Sequence, residues 1–143
     1  MPSAPVNLLR RIEEILEIER LRTDQDLVRL VEGRLSTQVI EGLRRSGLAD
    51  EEIYSLILPR RTLTHRIARR ERLSREESDR VVRIVRIAAF GERVFGDRAR
   101  FWRWFRAGKR QFSGRPPLDL VATEAGARLV EELLVRIDEG LAA

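Results

Sequence analysis

The chain has 143 residues, 43% hydrophobic, 36% charged and only 6% aromatic, which suits one compact domain or two very small ones with a core mainly of Leu, Ile, Val and Ala. No cysteine and a single histidine exclude disulfides, thiolate metal sites and cysteine nucleophiles, and leave zinc only an uncommon carboxylate-rich ligand set. A net charge of +5 fits an anionic partner such as nucleic acid, and equally a merely basic surface.

The convincing periodicity is all helical. No stretch alternates β-branched residues and no Asn-Gly hairpin signal occurs, so an all-α fold is predicted. Residues 1–6 read as a loose tail. A helix over Leu8–Leu21 sets Leu8, Ile12, Ile15, Leu16 and Glu19 at helical spacing. Thr23 and Asp26 open a second, in which Leu27, Leu30 and Val31 share a stripe and which Gly33 ends. Ser36 caps a third running to about Arg45, with Val39, Ile40 and Leu43 inward and Gly47 as its stop.

Asp50 and Glu51 mark the next helix start, where the dipole favours negative charge, and Ile53, Leu56 and Ile57 form its buried stripe. Pro59 breaks the run, and a basic helix follows over about Arg60–Glu71. Ser74-Arg75-Glu76-Glu77 is a capping box for the next helix. Through Phe95 that helix carries two apolar stripes, Val81, Ile84, Val85 and Ala88 beside Ile87, Phe90 and Val94, which marks it as central to the core. Gly96-Asp97 interrupts the pattern before a short aromatic helix, RARFWRWFRAG. GKRQFSGRPPLDL reads as a structured turn or a linker, non-helical at Arg115-Pro116-Pro117 because a residue before proline avoids the helical region. Thr123 and Glu124 start the last helix, with Val130, Leu133, Leu134 and Ile137 as its stripe and Gly140 as its stop; the last three residues are a stub. No apolar run approaches the ~20 residues of a membrane span, and the opening MPSAPVNLLRRIEEI has no apolar signal-peptide core.

The basic helix carries the clearest functional signal. At ~100° per residue, Leu63 and Ile67 point to the core, Arg61, Thr64, His65, Ala68 and Arg69 lie opposite, and Arg60, Arg66 and Arg70 flank the stripe. Such a helix fits the DNA major groove, short polar residues and arginines toward base edges and flanking arginines toward phosphates. A solvated cationic face would look similar. The tight Leu58-Pro59 link to the preceding short helix makes the pair a helix-turn-helix and favours DNA. Phe101, Trp102, Trp104 and Phe105 alternate with arginines, a pattern that stacks single-stranded bases or, more ordinarily, packs a core; Trp102 is expected to be the most exposed of them. AGKRQ lacks the residues of a phosphate loop, and the paired glutamates sit on charged helix faces, so no catalytic set, metal site or cofactor site emerges.

LILPRRTLTHRIARRERLSREESDRVVRI, then VFGD, Trp104, GRPPLDL and TEAGARLVEELLVRIDEG, in that order over most of the chain, closely resemble the Xre/MbcA/ParS-type antitoxins of bacterial type II toxin–antitoxin systems. The resemblance implies a non-enzymatic, cytoplasmic bacterial protein without cofactors. It implies a helical region over residues 1–96 with a helix-turn-helix core and a toxin-binding region over 97–143. It further implies a cognate RES-domain toxin that destroys NAD+, neutralised by covering its active-site entrance, and repression of the shared operon at an operator in double-stranded DNA. Homodimerisation is expected, because paired half-sites raise the affinity of helix-turn-helix proteins; Leu8–Leu21 and its neighbours are candidates for that contact.

On this chain DNA reading would fall to Arg60, Arg61, Thr64, His65, Arg66, Arg69 and Arg70. Toxin contact would fall to Arg115, Pro116, Pro117, Leu118 and Asp119, and on the last helix to Arg128, Glu131, Arg136 and Gly140, with Val130, Leu133 and Leu134 docked on their own core. Two departures from the family pattern, Gly108-Lys109 for Pro-Asn and Ser113-Gly114 for Gly-Gly, fall in the linker, and the first ~25 residues have no firm counterpart. The competing readings are a helix-turn-helix regulator without a toxin partner, and an RNA-binding module or small enzyme.

Overall fold

The structure, a computed structural model, describes residues 6–140; the stub at 141–143 and all of the expected tail except Val6 lie outside the described residues. Among those described there are nine α-helices and no strand: α1 (Val6–Leu16), α2 (Asp24–Gly33), α3 (Val39–Ser46), α4 (Asp50–Leu56), α5 (Arg60–Ala68), α6 (Arg75–Phe95), α7 (Arg98–Arg106), α8 (Pro117–Leu120) and α9 (Glu124–Asp138). The chain divides into two compact units, one ending at Val85 and one beginning at Arg86, so α6 supplies residues to both.

In the first unit α1 packs on α3. Leu8, Leu9, Ile12, Ile15 and Leu16 are all buried within their own subunit. The crossing is close because position 42 is glycine: a Cβ there would run into the Ile15 carbonyl oxygen. Glu17 and Arg45 add a two-pronged ion pair at 2.8 Å.

α1 ends five residues earlier than its periodicity predicts. Glu17 takes a left-handed φ of 58° and the Ile18 N–H donates back to the Glu13 carbonyl (3.1 Å), a Schellman reversal with glutamate where glycine is usual. The Leu21 N–H then donates to the Glu13 carboxylate (2.9 Å), which tucks Leu21 into the core and leaves Glu19 exposed off the helix. α2 begins at the predicted place, where the Asp26 carboxylate accepts from the N–H groups of Arg22 (2.8 Å) and Thr23 (3.0 Å). α3 starts three residues after Ser36, whose hydroxyl accepts from Gln38 N–H within a turn.

A clasp closes the unit. The Leu73 N–H donates to Leu35 O (2.9 Å), Leu35 N–H to the Ser78 hydroxyl (2.9 Å), and the Arg34 and Arg72 guanidinium groups reach each other's segment of backbone. The capping box at Ser74 is complete: Glu77 N–H donates to the Ser74 hydroxyl (3.0 Å) and Ser74 N–H to the Glu77 carboxylate (2.8 Å).

In the second unit Gly96 (φ 66°) turns the chain, and the Asp97 carboxylate caps α7 by accepting from Arg100 N–H (3.2 Å). Phe101 and Phe105 stack 4.8 Å apart, and Gly91 leaves room for the Phe101 ring, which a Cβ at 91 would overlap. Trp102, expected to be the most exposed aromatic, is only 6% exposed; Trp104 is the half-buried one. At helical spacing Trp102 falls on the other side of the Phe105 edge and completes the buried sector, whereas Trp104 lies outside it. The following turn is ordered: a 3₁₀ step at Arg110–Phe112 is closed by Gly114 N–H to Lys109 O (2.8 Å) and Lys109 N–H to Arg115 O (3.1 Å). Arg115 and Pro116 are non-helical as the proline rule requires. Pro117, however, begins the short α8, where its fixed φ and missing N–H suit a first helical residue. α8 packs between α7 and α9.

Candidate functional site

The pair α4 and α5 forms as a helix-turn-helix. Ile57 and Leu58 between the helices are buried, Pro59 is the extended N-cap of α5, and Arg80 donates to the Ile57 carbonyl (3.0 Å), pinning the turn to α6. α5 is anchored by Leu63 and stops at Ala68, short of Glu71. Arg70 adopts φ 56° and Glu71 N–H donates to Arg66 O (2.8 Å), a second Schellman reversal without glycine, which delivers Leu73 to the core.

Arg60, Arg61, Thr64, His65 and Ala68 line one open surface depression, and Arg69 and Arg70 stand exposed at its end. No carboxylate among the described residues pairs with Arg60, Arg61, Arg69 or Arg70. Their charge is therefore available to an external anion. No group of residues that could hold a metal ion occurs among the described residues, His65 included.

Arg66 sits apart from the other six. Its guanidinium is 2.8 Å from the Glu77 carboxylate and 3.3 Å from that of Glu71, and Glu77 is only 7% exposed. Burial pushes the Glu77 carboxyl up, but the Arg66 guanidinium and the Ser74 N–H and hydroxyl outweigh it and hold the group below the usual carboxylate range; the hydrogen bond to Glu77 raises Arg66 in turn. Arg66 is thus a strut that fixes the rotation of α5 on α6.

Ile67 corrects the expected core stripe, since it is 56% exposed. The buried sector of α5 runs from the half-buried Thr62 and Arg66 to Leu63, and Ile67 lies ~40° beyond Leu63.

In the second unit, Arg115 and Asp119 are exposed and Pro116 is half-buried, while Pro117 and Leu118 are buried in the unit's own core. On α9, capped by Thr123 accepting from Gly126 N–H (3.0 Å), Val130, Leu133 and Leu134 are buried as expected. Arg128, Arg136 and Gly140 face solvent, and Glu131 is held by Arg86 at 3.0 Å. Two residues went unnoticed in the sequence: Leu129 (48% exposed) and Val135 (42%), large apolar side chains presented to solvent beside Arg128, Glu132 and Arg136. Their signal was present in the spacing, since neither belongs to the Val130, Leu133, Leu134, Ile137 stripe.

Comparison with known proteins assigns a family to each half of the chain. Residues 26–86 match the antitoxin Xre-like helix-turn-helix domain, and residues 90–140 match the antitoxin Xre/MbcA/ParS C-terminal toxin-binding domain. The chain is 36% identical over 131 residues to an Antitoxin Xre of Pseudomonas putida, covering 91% of this chain and 82% of that protein. It is 33% identical over 85 residues to an Antitoxin Xre of Yersinia enterocolitica, covering 59% of this chain and 57% of that one.

Proposed function

This chain belongs to the Xre family of antitoxins, and from that premise we propose that it neutralises a RES-domain, NAD+-degrading toxin by occluding its active site, and represses their shared operon through α5. Antitoxin and DNA-binding roles come with the family; it is a regulatory protein, not an enzyme. The observation that carries the proposal is the agreement between architecture and family. The helix-turn-helix match falls on the unit that ends at Val85, with one residue over, and the toxin-binding match lies wholly within the unit that begins at Arg86. One chain thus offers two separate surfaces to two partners.

On the first surface Arg60, Arg61, Thr64, His65, Arg69 and Arg70 meet DNA, the arginines at its ends gripping phosphates, while Arg66 holds the helix at the angle the others need. On the second, the side chains of Arg115, Pro116, Asp119, Arg128 and Arg136, with Gly140, contact the toxin. Leu129 and Val135 add apolar anchors among those charges, the composition of an interface centre. The buried Pro117 and Leu118 serve by shaping the turn that presents Arg115 and Asp119. The protein acts in the bacterial cytoplasm as a homodimer, so that two copies of α5 engage paired half-sites.

Co-expression tests the reading. The full chain restores growth to cells carrying the neighbouring RES gene, and the double charge reversal Arg128→Glu, Arg136→Glu does not. Arg61→Ala with Arg69→Ala derepresses a promoter reporter while rescue of growth persists. A chain that represses the promoter without ever rescuing growth would be a helix-turn-helix regulator with no toxin partner.

A further inference from the structure

Charge in the second unit is segregated along the chain. Between Arg98 and Arg115 there are seven basic side chains and no acidic one; from Pro116 to Gly140 there are two basic and six acidic. Within the basic stretch the aromatic residues Phe101, Trp102 and Phe105 fill the core, so the solvent side of α7 is left to Arg100 and Arg103. The turn that follows does not dangle. It is closed by the Lys109–Arg115 and Gly114–Lys109 backbone hydrogen bonds, and Lys109 lies 5.1 Å from the centre of the Trp104 ring, which ties the turn to α7. Arg110 and Arg115 are exposed on this fixed turn.

None of Arg100, Arg103 and Arg110 has a carboxylate partner among the described residues. By contrast Arg86, elsewhere in the same unit, is matched to Glu131, and Arg98, at the start of α7, to Glu92. An arginine cluster with no internal counter-charge, mounted on an ordered surface, is what a polyanion binds through its phosphates.

We propose that α7 and the turn after it form a second nucleic-acid surface, which grips the phosphate backbone of double-stranded DNA independently of sequence. This goes beyond the reading of α5, because it gives the toxin-binding unit a DNA contact of its own. The acidic α9 repels the same polyanion, so DNA is confined to the basic stretch and α9 stays open to a protein partner.

The test is the triple variant Arg100→Gln, Arg103→Gln, Arg110→Gln in the full-length protein. Arg115 is left intact because it belongs to the toxin surface. All three side chains are exposed, and circular dichroism melting confirms that the variant is folded. Affinity is measured against increasing salt on two duplexes, one carrying the chain's own promoter and one of random sequence. Three lost phosphate contacts lower the slope of log affinity against log salt by about 2.7 on both duplexes, so over a fourfold rise in salt the parent loses about 40-fold more affinity than the variant. Arg61→Ala with Arg69→Ala, by comparison, removes the preference for the promoter. An unchanged slope in the triple variant overturns the proposal and leaves the α5 reading standing. An unchanged slope with weakened capture of the toxin overturns it in favour of an acidic toxin surface as the occupant. If the triple variant loses slope while the α5 variant keeps full promoter preference, the second surface stands and the α5 reading fails.

Discussion

Replacing Arg66 by alanine separates a structural arginine from those proposed to meet DNA on the same helix. The substitution removes the 2.8 Å partner of Glu77, a carboxylate that is 7% exposed, together with the 3.3 Å contact to Glu71. Stripping one member of a buried ion pair costs about 3–5 kcal/mol, because the remaining charge keeps its desolvation penalty. The Glu77 carboxylate retains the capping-box hydrogen bond from the Ser74 N–H, which brings the expected loss toward about 2–3 kcal/mol. For a unit of this size that lowers the melting midpoint by roughly 10–20 °C. Arg69→Ala, exposed and unpaired, changes stability by less than about 0.5 kcal/mol but lowers the salt slope of DNA binding by about 0.9. Thermal melting followed by circular dichroism reads the first effect, and binding titrations well below the midpoint read the second. If Arg66→Ala left the melting midpoint unchanged and lowered the salt slope as Arg69→Ala does, Arg66 would be a phosphate contact and the strut would be refuted.

The same pair sets an acid dependence. The Glu77 carboxyl titrates lower in the folded protein than its ordinary value of 4.5, so its contribution is complete above that pH and disappears as pH falls through the lower folded value. Acid titration of parent and Glu77→Gln should show their stabilities converging below about pH 4.5; a gap that widens on acidification has the wrong sign for this account. Gly91→Ala drives a methyl group into the ring of the fully buried Phe101 and should cost about 1–3 kcal/mol, seen as a lower unfolding midpoint; an unchanged midpoint means the ring has somewhere to go. Leu129→Asp leaves folding intact, because the side chain is 48% exposed, but weakens toxin binding by about tenfold or more in calorimetry. Unaltered affinity removes Leu129 from the interface.

Most of the architecture could be read from the chain because its punctuation is orthodox. Gly47, Gly96 and Gly140 take left-handed turns where they were expected to stop helices, and the Ser74 box caps as its spacing demands. The two helix ends that were misplaced share one cause. Glu17 and Arg70 occupy left-handed positions usually given to glycine, and tertiary demand overrides their preference by drawing Leu21 and Leu73 into the core. Residues with ordinary helical propensity gave no warning of either reversal.

The basic helix α5 was legible through its charge and the Pro59 break. The role of Arg66 was not, because its partner Glu77 lies across a turn that sequence spacing alone does not close. Ile67 shows a limit of periodicity: on a nine-residue helix anchored by one leucine, a step of ~40° separates core from solvent. On α9 the inward stripe was plain, whereas Leu129 and Val135 stood out only once exposure could be seen.

α9 and the Arg115 turn are proposed to be the stopper of a toxin. The direct measurement is NAD+ loss catalysed by the purified neighbouring RES protein while this chain is titrated in. Loss that falls to zero at a fixed ratio of chain to toxin, and returns with the Arg128→Glu, Arg136→Glu variant, is the predicted result. Undiminished NAD+ loss in the presence of excess folded chain would contradict it.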